Sequence, residues 1–126
     1  MRKTRRWSVA FLALALLATL GLGAGEEKPK YTIEEVMKKA HSGKSNLSKK
    51  LLSGKLSDQE KTTLIDCYEA LGKNKPPKGD VKDWETRTSN LLAAAKAAVD
   101  GGQAERVKYQ KAVNCKACHD LHKGED

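Results

Sequence analysis

Residues 80–102 read DVKDWETRTSNLLAAAKAAVDGG, and the fold class turns on how this stretch is read. Asp80 is a natural N-cap, and Val81, Trp84, Leu91, Leu92, Ala95 and Val99 recur at helical spacing on one face. The Ala-rich run 93–98 favours helix and admits a close neighbour, and Asp100-Gly101-Gly102 ends it. Upstream, Lys73 to Gly79 contains Pro76-Pro77 and must be a loop, since neither proline can sit inside a helix there. Before it, Ser57-Asp58-Gln59-Glu60 is a capping box that opens a helix running to Leu71 and stopping at Gly72. Leu64, Cys67, Tyr68 and Leu71 form its apolar stripe.

The same grammar extends to both ends. Glu26 to Tyr31 is a polar, extended lead-in holding Pro29. Thr32-Ile33-Glu34-Glu35 is a second capping box. Ile33, Val36, Met37 and Ala40 then follow a helical period, with His41 one turn beyond Met37 and Ser42-Gly43 as the stop. Leu47, Leu51 and Leu52 mark a short amphipathic piece before Gly54. Downstream, one helix is expected from Gln103 to His122, with Val107, Val113 and Leu121 as its larger apolar residues. No stretch alternates as a strand would, and one Phe, two Trp and three Tyr in 126 residues poorly equip a β-sandwich. The expectation is an all-α chain, a small antiparallel four-helix bundle with short connections. Its last helix is thin in aliphatic bulk, which leaves room in the core for something large and apolar.

The first 25 residues read as a separate unit. MRKTRRW carries four basic groups and no acid, twelve apolar or small residues follow from Val9 to Leu20, and Gly21 to Gly25 is small-residue rich. This is the pattern of a secretory signal peptide, with cleavage expected near Gly23 or Gly25 and residues 26–126 left as one helical domain. The apolar run falls short of the roughly 20 residues of a spanning helix, so no stable membrane anchor is expected. Of 24 Lys and Arg against 16 Asp and Glu, a net charge of +8, four basic groups lie in this segment. The remaining Lys are scattered without interleaved aromatics, so no nucleic-acid partner is expected.

Cys115-Lys116-Ala117-Cys118-His119 is C-x-x-C-H, the attachment sequence of c-type haem. Thiols at i and i+3 share one side of a helical turn and can add to the two vinyl groups of one porphyrin, and the adjacent imidazole can reach the iron. Export agrees, because this haem is attached outside the cytoplasm. Three other readings compete: a thiol–disulfide redox pair, half of a zinc site completed by Cys67 and His122, and a bare disulfide. Only seven residues follow His119 and none is Met, so a sixth iron ligand must come from upstream or be lacking.

In this respect the chain resembles the cytochrome c-prime class, four-helix-bundle cytochromes with C-x-x-C-H on the C-terminal helix. The resemblance implies a haem c lying within the bundle, held by Cys115 and Cys118, with His119 as proximal ligand. It also implies that the first helix supplies the residue on the other haem face. That residue is a Met in low-spin electron carriers and an apolar residue in high-spin, gas-binding members. Met37, the only Met outside the signal segment, is followed by Lys as in the low-spin members. His41, on the same face, is the rival ligand. His122 lies too near His119 to reach the opposite face and is expected as a supporting or surface group. The family more often has an aromatic residue there. The class often dimerises.

Cys67 is left over once both thioethers are counted; it reads as a buried small hydrophobe, with an intermolecular disulfide as the alternative. The function expected is a periplasmic mono-haem cytochrome, not an enzyme, which carries single electrons and offers a mildly basic surface to acidic redox partner proteins. A five-coordinate gas-binding protein is the second reading, and a haem-free thiol or zinc module the third.

Overall fold

The computed structural model describes residues 28–125, so the expected signal peptide lies outside the described residues. Its helices are α1 (Ile33–Val36), a π-helical turn (Met37–His41), α2 (Leu47–Leu52), α3 (Asp58–Lys73), α4 (Val81–Val99), α5 (Gln103–Ala112) and α6 (Cys115–His122). No strand occurs among the described residues, and the helices pack as a bundle about one core. No helix among them is long and apolar enough to cross a membrane.

Helix starts follow the side chains expected of them. At Thr32 and Ser57 the hydroxyl accepts from the N–H of Glu35 or Glu60, 3.2 Å in each case. The glutamate in turn accepts from the cap residue's own N–H, at 2.8 and 3.0 Å. Asp80 accepts from the N–H of Asp83 at 2.7 Å and opens α4. Asn46 and Asn114 cap α2 and α6 in the same way, by accepting from Lys49 and Ala117. Neither asparagine figured among the expected helix starts, although Asn is a favoured N-cap.

Two element boundaries differ from expectation. Gly72 does not stop α3, which continues to Lys73. A Cβ at Gly72 would stand 3.4 Å from the Thr88 hydroxyl, so the missing side chain serves the approach of α4 rather than a helix end. The expected helix from Gln103 to His122 is two helices, broken at Val113 and Asn114. Val107 and Leu121 are accordingly exposed, while Tyr109 and His122 are buried. In α4, Trp84, Leu91 and Ala95 face inward as expected, joined by Thr88 and Ala98, but Val81 is exposed.

Connections are short, and α4 packs against both of its long neighbours, α3 and α5. Asn74 knits the turn between α3 and α4. Its side-chain amide donates to the carbonyls of Tyr31 and Ala70, and its own carbonyl accepts from the Trp84 indole N–H at 2.9 Å. At the core's centre the Tyr68 and Tyr109 hydroxyls hydrogen-bond one another, and Tyr109 donates to Ser48 at 2.7 Å. This chain of hydroxyls joins α2, α3 and α5 where apolar groups alone cannot.

Tyr109→Phe leaves buried hydroxyl groups short of a partner and is expected to lower stability by about 1–3 kcal/mol in denaturant titration. Stability is also expected to fall in acid through the capping glutamates. The Lys50 ammonium first, and then the Ser57 N–H, hold the Glu60 carboxyl below its ordinary 4.5. Because the folded-state value is depressed, the stabilisation is present above pH 4.5 and is lost as pH falls from there through the lower folded-state value. Thermal melts of Glu60→Gln between pH 7 and 3 should therefore show a shallower acid decline than the parent protein.

Candidate functional site

An apolar cavity of about 430 Å³ lies between the π-helical turn, α3, α4 and the α5–α6 junction. Met37 and His41 line it from the π-helical turn, and Cys115, Cys118 and His119 from α6. Leu71, Leu91 and Val113 give it apolar walls, and Arg87 and Lys111 add two cations. All four side chains expected at the site, Met37, Cys115, Cys118 and His119, thus face one space, and so does the rival ligand His41. The volume lies within the ~300–1,000 Å³ of small-molecule and cofactor sites.

Local structure explains how these groups meet. A π-helical turn is rare and tends to mark functional positions, because it leaves carbonyls without their usual partners. Here the Ser42 hydroxyl donates to the carbonyls of Met37 and Lys38, at 3.2 and 3.3 Å. The Asn46 amide donates to the His41 carbonyl at 2.9 Å, which ties the turn to α2. On the other wall, the break at Val113 and Asn114 starts a new helix at Cys115. Cys115 and His119 are exposed and Cys118 is half-buried. A C-x-x-C pair at a helix start is also where thiol–disulfide redox sites lie, but those sit in strand–helix folds, and no strand occurs among the described residues.

His41 is not free to present both ring nitrogens. Its Nε2 lies 3.2 Å from the Tyr68 hydroxyl, and the two rings are 5.7 Å apart. Burial, and then the nearby His119, lower its proton affinity below that of an ordinary histidine. Met37 has no such engagement among the described residues.

Of the two roles expected of His122, supporting or surface group, the structure excludes the second. It is 2% exposed, with its ring edge-on to Trp84 at 5.4 Å. Its Nδ1 stands 3.1 Å from the Lys78 carbonyl and its Nε2 2.7 Å from Asp83 Oδ2. It is therefore a buried, fully bonded group and not a surface one. The zinc reading loses its geometry as well, because no three His, Cys, Asp or Glu side chains converge as a metal site among the described residues.

Cys67 is buried in the core, as expected of a small hydrophobe, and burial pushes its thiol up to about 11. An intermolecular disulfide would need that side chain at the surface. No protein-family model, curated protein or solved structure matches the chain.

In the folded chain without attached haem, Cys115 is expected to react readily with a thiol reagent, and Cys67 only after denaturant is added. Mass spectrometry of the labelled peptides checks this. Labelling of Cys67 in the native protein would contradict the burial described above.

Proposed function

We propose that this protein is an exported mono-haem c-type cytochrome that carries single electrons. The observation that carries the proposal is the convergence of Cys115, Cys118, His119 and Met37, drawn from two separated parts of the chain, on one apolar cavity. The residues present fit haem c. Two thiols three positions apart would take the vinyl groups, and His119 would take the iron. Leu71, Leu91 and Val113 would cover the porphyrin, and Arg87 and Lys111 offer cations to its carboxylates. Bound there, haem c supplies a reversible one-electron iron couple.

The chain's own side chains set the conditions for that couple. Met37 offers a soft thioether, a donor that favours the reduced iron and raises the potential. His41 is drawn toward Tyr68 through Nε2, which leaves Met37 the better placed of the two as sixth ligand. The apolar walls limit water near the site, and a lower local dielectric sharpens the effect of each nearby charge. Of the other two readings, a five-coordinate gas-binding protein would use the same cavity with Met37 as a wall. The thiol module would use Cys115 and Cys118 alone.

The reading places the chain in the periplasm after loss of residues 1–25, as a four-helix bundle around its cofactor in the manner of the cytochrome c-prime class. Its partners on this reading are acidic redox proteins. Exposed Lys108, Lys111 and Lys116 near the cavity support that choice by charge complementarity.

An optical spectrum of the protein exported from a host with haem-maturation machinery tests the proposal. A sharp, split visible band on reduction is expected, as given by low-spin six-coordinate iron. Met37→Ala is expected to convert it to a broad high-spin spectrum that responds to carbon monoxide. A high-spin parent spectrum would favour the gas-binding reading, and absence of covalent haem would refute both. A Met37→Ala variant that stays low-spin would transfer the ligand role to His41.

A further inference from the structure

The last turn of α6 sorts its side chains against hydrophobicity. Leu121 is 47% exposed, while His122 beside it is buried at 2%. Burying an imidazole in place of a leucine is unfavourable unless its polar atoms are bonded, so the exchange must rest on specific partners. Both ring nitrogens of His122 face acceptors, the Lys78 carbonyl and the Asp83 carboxylate. Neither partner can donate, so the ring is the donor in this contact.

The chain around this ring is shaped to receive it. Gly79 has φ of +87°, and a Cβ there would stand 2.5 Å from the Leu121 carbonyl and 2.8 Å from His122 Nδ1. Only glycine permits both the backbone conformation and the approach. Pro77 closes on Gly124 just beyond α6, so the loop before α4 grips the end of α6. Asp83 Oδ2 also accepts from Arg87 Nε at 2.6 Å, and Arg87 lines the cavity. The Arg87 guanidinium first, and His122 next, hold the Asp83 carboxyl below its ordinary range.

α6 has only eight residues, and a helix of that length does not hold its place in water by itself. It packs chiefly on α4, and His122 is its one fully buried side chain. We propose that His122 is a positioning residue: bonded to Lys78 and Asp83, it pins α6 to the start of α4 and so fixes where Cys118 and His119 enter the cavity. The role of His119 in this statement rests on the haem reading; the pinning of α6 does not. The Asp83–Arg87 pair extends the same contact to the cavity wall, so α6 and the wall are aligned by one carboxylate.

Amide hydrogen exchange on the purified exported protein tests this, with His122→Phe and Asp83→Asn as variants. His122→Phe keeps a ring against Trp84 and removes both hydrogen bonds. Asp83→Asn is the milder change, on a half-exposed side chain. The ratio of exchange rates in α6 to those in α3 is expected to rise at least tenfold in both variants. In haem-loaded protein, the low-spin electron paramagnetic resonance signal is expected to split into more than one axial geometry, which mere loss of stability would not produce. An α6-to-α3 ratio unchanged in both variants would overturn the proposal, as would a single unaltered axial signal in both. If no haem is attached, a tenfold rise still supports the pinning of α6, and only the haem reading fails.

Discussion

The molecule is organised around a hydroxyl that must find partners in the absence of water. Tyr68 and Tyr109 are both fully buried, and burial raises the proton affinity of each above that of ordinary tyrosine. Both therefore keep their protons. Tyr109 donates to Ser48, so its oxygen accepts from Tyr68. The Tyr68 hydroxyl also lies 3.2 Å from His41 Nε2, which extends the chain to a ring on the cavity wall. One buried polar chain thus ties the packing of α2, α3 and α5 to the position of a side chain on the cavity wall.

The two departures from regular helix serve the same cavity. In an unbroken helix at about 100° per residue, Tyr109 and Cys118 would point about 180° apart, and Tyr109 and His122 about 140° apart. Such a helix could bury Tyr109 or the motif, but not both. The break at Val113 and Asn114 resets the phase, so Tyr109 reaches the core and Cys118 reaches the cavity. The π-helical turn acts comparably on the other wall. It keeps Met37 and His41 on one face while Ala40 is buried in the core beside them. Ser42 and Asn46 take up the carbonyls involved, so the irregular turn is held by side chains rather than by strain.

What could be read in the sequence is what depends on neighbours in the chain. Capping boxes at Thr32 and Ser57, the cap at Asp80 and the Pro76-Pro77 loop act over three or four residues, and each stands where the sequence predicts it. The motif and the Met37–His41 spacing are equally local, which is why candidate residues that share one cavity could be named. What escaped depends on partners far away in sequence. Gly72 looks like a helix stop until Thr88 is brought against it. His122 reads as either a supporting or a surface group until Lys78 and Asp83, about forty residues earlier, meet its ring. Val107 and Leu121 read as core because hydrophobicity was the only guide, whereas burial in the last two helices follows hydrogen bonding. Asn114 and Asn46 are the exceptions, since each carries a local capping signal that could have shown the break and the start of α2.

Charge completes the link between fold and proposed function. The helix pair that carries the motif exposes Lys108, Lys111 and Lys116, of which Lys108 interacts with Glu105 and Lys116 with Asp120, the latter at 2.7 Å. Acidic groups instead concentrate where they stabilise helix starts, as Glu34 and Glu35 do in α1 and Asp58 and Glu60 in α3. Capping engages carboxylates at helix N-termini, while Arg87 and Lys111 are the cations that line the cavity. On the proposed reading, the same distribution that starts the helices also leaves a positive field around the exposed Cys115. Such a field acts over about 10 Å at 0.1 M salt, enough to orient an acidic partner before contact and too weak to hold it afterwards. That balance suits a carrier, which must find a partner quickly and leave it as soon as one electron has moved.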